Sequence, residues 1–324
     1  MSRYCRTLLV ALSLSGPAVS NLSADNVNAN FALQQGQVEK ASSLLKLWIA
    51  EHPADAQAHL LLCRVFYAQE MANAAVSECE AAATAAPDVS ELQLWLGRTY
   101  GMKASSASPL VAFSIARKAR DTFERAVRLN PSNIVALGDL GEFYVKAPSI
   151  VGGGIDKARQ LAARLRSVNL PPFQAESHRI LALAAEKENN FSEAEMEFRQ
   201  ATAGNLPAAW IDLGAFYARH RQLDLAASAI RTAIRLDRSR GATLVDAASV
   251  LTEANRSPEL ARQLLGEYIA SPNTSDAAPV FKVHLQLGDL LARSGDLASA
   301  RKEYSLAVTM APNFPPARKS RDSS

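Results

Sequence analysis

The stretch PAAWIDLGAFYARHRQLDLAASAIRTAIRLDR, residues 207–238, decides the fold. Trp210, Leu213, Gly214 and Tyr217 recur at i, i+3, i+4 and i+7, which is one face of an α-helix. Ala226, Ile230 and Ala233 then place small and large residues at i, i+4 and i+7 on a second helix. The same double signature returns along the chain. Upstream it reads Leu96-Gly97-x2-Tyr100 with Ala119-x3-Phe123-x2-Ala126-x4-Pro131, then Leu140-Gly141-x2-Tyr144, then Ala194-x3-Phe198-x2-Ala201. Downstream it reads Leu287-Gly288-x2-Leu291 with Ala300-x3-Tyr304-x2-Ala307-x4-Pro312. Pro53 and Pro87 stand 34 residues apart, each closing an alanine-rich helical run. A fixed period of this kind marks a repeat array.

These residues resemble the tetratricopeptide repeat, a helix-turn-helix unit with W-x2-L-G-x2-Y on its first helix and A-x3-F…P on its second. The resemblance implies an all-α fold, a right-handed α-solenoid of about eight such repeats over residues 21–314. Physically, Gly or Ala in mid-helix admits a close backbone approach, and the large residue is expected to fill the gap between successive hairpins. Proline ends the second helix, and stacking buries faces that no hairpin buries alone. The unit at 207–238 lies nearest the family pattern. The first unit is weak, although Gly36 sits at its turn as Gly295 does in the last, and the units at 175–206 and 242–273 have lost the Trp, Gly and Tyr signals. Residues 315–324 read as a polar, cationic tail.

Of the 324 residues, 48% are apolar, 21% charged and 6% aromatic, and the formal net charge is +3. Too few charges for disorder and too few β-branched and aromatic residues for a β-sandwich or barrel leave a helical, folded chain. Near-neutrality gives no electrostatic case for nucleic acid. Residues 1–20 read as a signal peptide: Arg3 and Arg6, an apolar run from Leu8 to Leu14, then small Ala18 and Ser20, with cleavage expected after Ser20 or, second, after Ala24. The run is too short to span a membrane, and Cys5 precedes it, so the order of a lipoprotein signal is missing. The expected setting is extracytoplasmic, periplasmic or secreted, with a cytosolic protein carrying an N-terminal helix as the alternative.

Three irregularities interrupt the period. The third unit carries about ten extra residues from Gly101 to Ala107 and beyond, read as an insertion of the kind that maps to loops, with Ser108-Pro109 opening a long second helix that runs to about Leu129. The fourth carries about five more, around Gly152, Gly153 and Gly154, whose successive N–H groups are a candidate anion-binding turn; a flexible or strained turn is the alternative. Cys63 and Cys79 occupy the small and large positions of one unit, which face each other in this repeat. A disulfide there follows if the chain is exported; two buried thiols are the alternative.

His59, His178 and His284 share the register of the family's tryptophan, which points to packing or a hairpin edge rather than a ligand set. No HExxH, CxxC or G-x-S-x-G occurs and no Ser/His/Asp set assembles, so neither catalytic residues, nor a metal, nor a cofactor is expected. The resemblance implies that residues flanking the Leu-Gly step line a concave groove: Leu60, Arg64, Tyr67, Leu94, Arg98, Met102, Glu142, Arg179, Ile211, Asp246 and Asp289. Arg64, Tyr67, Arg98, Glu142 and Arg179 are the candidate partner-binding set, suited to a peptide or helix with acidic groups and apolar anchors. Leu60, Leu94 and the lack of asparagines depart from the set with which some members grip a C-terminal carboxylate, and the alternative for these arginines is a solvated surface. The expected function is a non-catalytic scaffold for a protein or peptide partner outside the cytoplasm, with no nucleic acid and no stable membrane insertion. The alternative is a structural assembly factor of cell-envelope machinery, for secretion, pilus or polysaccharide export, acting through the insertions and the convex face.

Overall fold

The computed structural model describes residues 24–316 and Ser320; the signal peptide expected at 1–20 and most of the tail at 315–324 lie outside the described residues. Among the described residues the periodic segments form sixteen α-helices that follow one another as eight pairs, and the only β-pairing is one isolated bridge. The pairs are α1 (Ala24–Gln34) with α2 (Val38–Glu51), α3 (Ala56–Ala68) with α4 (Ala72–Ala85), α5 (Ser90–Ser106) with α6 (Pro109–Leu129), and α7 (Ile134–Lys146) with α8 (Ile155–Arg166). Then come α9 (Pro171–Lys187) with α10 (Phe191–Ala201), α11 (Pro207–Arg219) with α12 (Leu223–Leu236), α13 (Thr243–Glu253) with α14 (Pro258–Ile269), and α15 (Val280–Arg293) with α16 (Leu297–Met310).

Six pairs turn on one left-handed residue, Gly36, Glu70, Asn189, Arg221, Asn255 or Gly295, with φ between 49° and 87°. In each, the next N–H returns to the carbonyl five residues back, as Gln37 does to Ala32 and Gln222 to Tyr217, which satisfies the orphan carbonyls at the helix end. Glycine occupies two of the six positions and asparagine two more, so Glu70 and Arg221 are the turns that the sequence does not signal.

Three of the four Leu-Gly steps work inside their own hairpins. A Cβ on Gly97 would lie 2.6 Å from Phe123, one on Gly214 2.8 Å from Ile230, and one on Gly288 2.4 Å from Tyr304. At these three steps the large residue fills the seam between the two helices of one hairpin, which corrects the expectation that it fills the gap between successive hairpins; only at Gly141 does it fill that gap, where a Cβ would lie 2.4 Å from Ile180 on α9 of the next hairpin. Cys63 and Cys79 take the same two positions in α3 and α4 and are joined by a disulfide with a Cα–Cα distance of 5.3 Å. One turn away, the three register-matched histidines each meet a glutamate nineteen residues on: His59 Nδ1 lies 2.7 Å from Glu78, His178 2.6 Å from Glu197, and His284 2.6 Å from Glu303. The histidines thus clasp hairpin edges.

The chain divides into two compact units. One contains the residues up to Ala86, Ser239–Ala248 and those from Pro258 onward; the other contains Pro87–Arg238 and Ser249–Ser257. Within the second, Phe198, Phe216 and Tyr217 anchor a core drawn from α9 to α12. Within the first, the beginning and end of the chain share one core. Phe281, Ala307, Ala311 and Phe314 pack with Ala29, Leu33 and Leu45, and Gly36 admits the backbone of Val280 and Phe281, where a Cβ would come within 3.1 Å of Val280. An array has two ends with unpaired apolar faces; here the first and last hairpins cover one another.

Asp55 ties the first turn of α3 to α1 and α2. Its Oδ1 accepts the N–H groups of Gln57 at 2.9 Å and Ala58 at 3.1 Å, while Oδ2 accepts from Trp48 at 2.7 Å and Asn26 at 3.1 Å. Burial raises this carboxyl, but the four hydrogen bonds outweigh it and hold it below its ordinary value of 3.8. A depressed carboxyl stabilises the fold above its unfolded value and loses that contribution as pH falls through the lower folded one. Asp55→Ala is therefore expected to cost about 2 kcal/mol at neutral pH, with the gap from wild type closing as pH drops below about 4 in urea melts.

Candidate functional site

In the first unit, α3 presents Arg64 and the half-buried Tyr67. Arg64 makes a two-pronged contact with Asp276, Nε to Oδ2 at 2.7 Å and Nη2 to Oδ1 at 2.8 Å. In the second unit, Arg98 on α5 donates Nε to Asp139 on α7 at 2.6 Å and lies 4.9 Å from the Trp95 ring centre, a cation–π contact. Glu142, one turn along α7 from Asp139, accepts from Lys146 and, at 3.2 Å, from Arg179.

Arg179 on α9 is buried, and it also donates to Glu176 at 2.8 Å and to the Gly138 carbonyl at 3.2 Å. Burial alone would lower this guanidinium, but Glu176 and Glu142 outweigh it and keep it protonated well above the ordinary arginine value. Its donors are spent on the protein, which places Arg179 as a buried tie between α7 and α9. Leu60, Leu94, Met102 and Ile211, read from the sequence as lining the groove, are core residues. Asp289 accepts the Tyr304 hydroxyl at 2.9 Å, and burial raises its carboxyl. What emerges on α3, and on α5 with α7, is a set of charged side chains paired across neighbouring elements, with Tyr67 or Trp95 beside them. The sequence missed the acidic halves, Asp139 and Asp276, because neither lies in a repeated register with its arginine.

The two insertions in the second unit form one structure. In the third hairpin α6 starts at Pro109 as expected, but the extra residues before it are not a loop: they lengthen α5 to Ser106. Arg117 on the extended α6 reaches the Ile150 carbonyl at 3.1 Å, Arg120 reaches that of Val151 at 3.4 Å, and Lys157 reaches that of Gly152 at 2.9 Å. The anion-turn expectation is corrected by the same geometry. The N–H groups of Gly152, Gly153 and Gly154 already go to the carbonyls of Ser149, Pro148 and Tyr144, at 2.8, 3.1 and 2.8 Å. Donors committed in this way leave no nest. A Cβ on Gly153 would fall 2.0 Å from the Ala147 carbonyl oxygen, whereas one on Gly101, inside α5, would meet nothing within 4 Å. Gly153→Ala is expected to cost about 2 kcal/mol and Gly101→Ala to add about 0.5–1 kcal/mol, both read from chemical melts.

Among the described residues no cluster of three His, Cys, Asp or Glu side chains could hold a metal ion, and no helix is long and apolar enough to cross a membrane.

Tetratricopeptide repeat family models match residues 151–207 and 281–314, the first taking in the hairpin of α9 and α10, where the Trp, Gly and Tyr signals are gone. This chain carries tetratricopeptide repeats. No curated protein matches it. Among solved structures, yeast Tom70 is similar at 15% identity with a TM-score of 0.51, over 88% of this chain and 59% of that one, a likeness of fold. A tetratricopeptide repeat protein from Parabacteroides merdae matches at 13% identity and TM-score 0.46, over 92% and 96% of the two chains. MamA matches at 19% identity and TM-score 0.43, over 55% of this chain and 94% of its own. Tetratricopeptide arrays are generally non-catalytic scaffolds that bind proteins or peptides, and the repeats here support a protein-interaction scaffold.

Proposed function

We propose that this tetratricopeptide repeat protein is a non-catalytic scaffold that takes a segment of a protein partner on its first-helix faces, outside the cytoplasm. The observation that carries this reading is the row formed by Trp95, Arg98, Asp139 and Glu142 on α5 and α7, an aromatic ring beside largely buried charges of both signs. Such a surface can exchange its internal ion pairs for a partner's at small cost in desolvation while the ring supplies contact area. The extracytoplasmic setting is supported by the signal-like residues 1–20 and by the Cys63–Cys79 bond, which persists in oxidising compartments.

A second reading, assembly of envelope machinery through the insertions, has its own support: Leu110, Val111 and Phe113 at the start of α6 and Ile150 in the glycine turn are exposed, Leu110 at 84%. Partner capture separates the two. Under the first reading, Arg98→Gln weakens capture at least about tenfold, and raised salt weakens it further, while the melting temperature stays near wild type. Under the second, Arg98→Gln has no effect and Leu110→Ser with Phe113→Ser abolishes capture. Substitutions serve better than removal of residues 101–107, because residues through Ser106 are part of α5.

A further inference from the structure

The connection from α14 to α15, residues 270–279, is ten residues long, whereas those from α2 to α3, α4 to α5 and α6 to α7 are four each. Hairpin packing does not require the extra length. The segment is built as a firm turn. Ser275 and Ala278 pair across it, the Tyr268 hydroxyl donates to the Ala278 carbonyl at 2.7 Å and accepts the Ser275 N–H at 2.8 Å, and Thr274 accepts from Gln35 at 3.0 Å. At its tip Asp276 reaches a residue 212 positions away in the sequence, Arg64, in the fork-to-fork geometry by which a guanidinium reads a carboxylate. The two side chains are 18% and 10% exposed. Lys282, just beyond the segment, pairs with Glu70 at 2.9 Å at the far end of the same α3 hairpin turn.

Resting on the scaffold reading above, we propose that segment 271–279 is an internal occupant of the α3 face, where Asp276 holds the seat on Arg64 that an acidic turn of the protein partner takes. The occupant describes the partner's chemistry: a carboxylate at the tip of a tight turn, flanked by small residues as in Thr274, Ser275, Ala277 and Ala278. Arg64 is the recognition residue and Tyr67 stands one turn beyond it on α3. Partner binding then requires the segment to leave, and the apparent affinity falls by the fraction of molecules in which it has left. If that fraction is about one in ten to one in a hundred, neutralising Asp276 tightens binding by about ten- to a hundredfold.

The probe is an acetylated, amidated peptide copying residues 272–279, titrated while the Arg64 Nε–H resonance is followed by NMR. In Asp276→Asn the resonance is expected to shift saturably, with a Kd at least about tenfold lower than in wild type, and a peptide carrying Asn at the acidic position is expected to shift neither. Thr274→Val, which removes the Gln35 hydrogen bond and keeps both charges, is expected to fall between the two and serves if Asp276→Asn does not fold. A peptide that acts equally on wild type and variants, or on none of them, overturns the proposal. The titration reads only the seat, so its failure leaves the scaffold reading to partner capture, and a failure of partner capture leaves the titration result standing.

Discussion

Phe281→Ala is expected to lower the free energy of unfolding by about 4 kcal/mol. The ring is fully buried, meets Phe314 edge-on at 5.1 Å between centres, and belongs to the same core as Ala29, Leu33 and Leu45 from the first hairpin. Alanine removes that contact on both sides at once. The space left behind is bounded by helices from opposite ends of the chain, and the Gly36 backbone lies close against Val280 and Phe281, so little can collapse into it. Urea melts measure the loss. Hydrogen exchange adds a sharper criterion, because amides of α1 and α2 should lose protection together with those of α15 and α16, as one cooperative unit. A variant that loosens α15 and α16 and leaves α1 protected would mean that the first hairpin does not depend on the last. Leu306→Ala, on the exposed side of α16, is the control and is expected to change stability by less than about 0.5 kcal/mol.

Replacing both cysteines of the α3–α4 hairpin comes next in size. Cys63 and Cys79 are fully buried and close a loop with a sequence separation of 16. In the chain-entropy description a loop of that length contributes about 3 kcal/mol, so Cys63→Ala with Cys79→Ala should lose about that much in denaturant melts under oxidising conditions, and far less when wild type is reduced first. The repeat itself offers a repair. The positions held by this disulfide are those held by Gly97 and Phe123, Gly214 and Ile230, and Gly288 and Tyr304 in other hairpins. Cys63→Gly with Cys79→Phe should therefore recover part of the loss that the alanine pair does not. Intact mass before and after reduction reports whether the bond forms in the cell, and a melt unaffected by reductant would show that it contributes nothing.

Much of this fold is legible in the residues because its interactions are local. The i, i+4, i+7 pattern around Gly214 and Ile230 fixes two helices and their seam within about twenty residues, and prolines such as Pro131 and Pro312 close the second helices. The histidine register was legible too, and a count of nineteen residues onward would have found Glu78, Glu197 and Glu303. Turns at Glu70 and Arg221 were less so, because the hydrogen-bonded turn imposes a left-handed backbone on residues that do not signal it, whereas Asn189 and Asn255 are the usual substitute for glycine there. The third-unit insertion was half legible: Ser108-Pro109 marked the start of a long α6, but length alone does not say whether the residues before it leave the helix or prolong it, and here they prolong α5.

The candidate site was the least legible part. Register alone put Arg64, Arg98 and Arg179 on equivalent faces, yet one is buried between two glutamates and the others pair with Asp276 and Asp139, at separations of 212 and 41 residues. No period relates those carboxylates to their arginines. The glycine turn misled in the opposite sense, since Gly152, Gly153 and Gly154 match an anion nest by composition while the backbone has already used their donors. In both cases the missing quantity was the partner of a polar group, which only three-dimensional placement supplies.

Partner recognition by the first-helix faces is tested most directly by site-specific photo-crosslinking in the intact cell. A photoreactive phenylalanine analogue replaces Tyr67 on α3 or Trp95 on α5, with Leu225 on α12 and Leu110 on α6 as comparison positions. Adducts to one extracytoplasmic protein from Tyr67 and Trp95, and none from Leu225 or Leu110, are the predicted result. Adducts confined to Leu110, or a partner found only among cytosolic proteins, would contradict it.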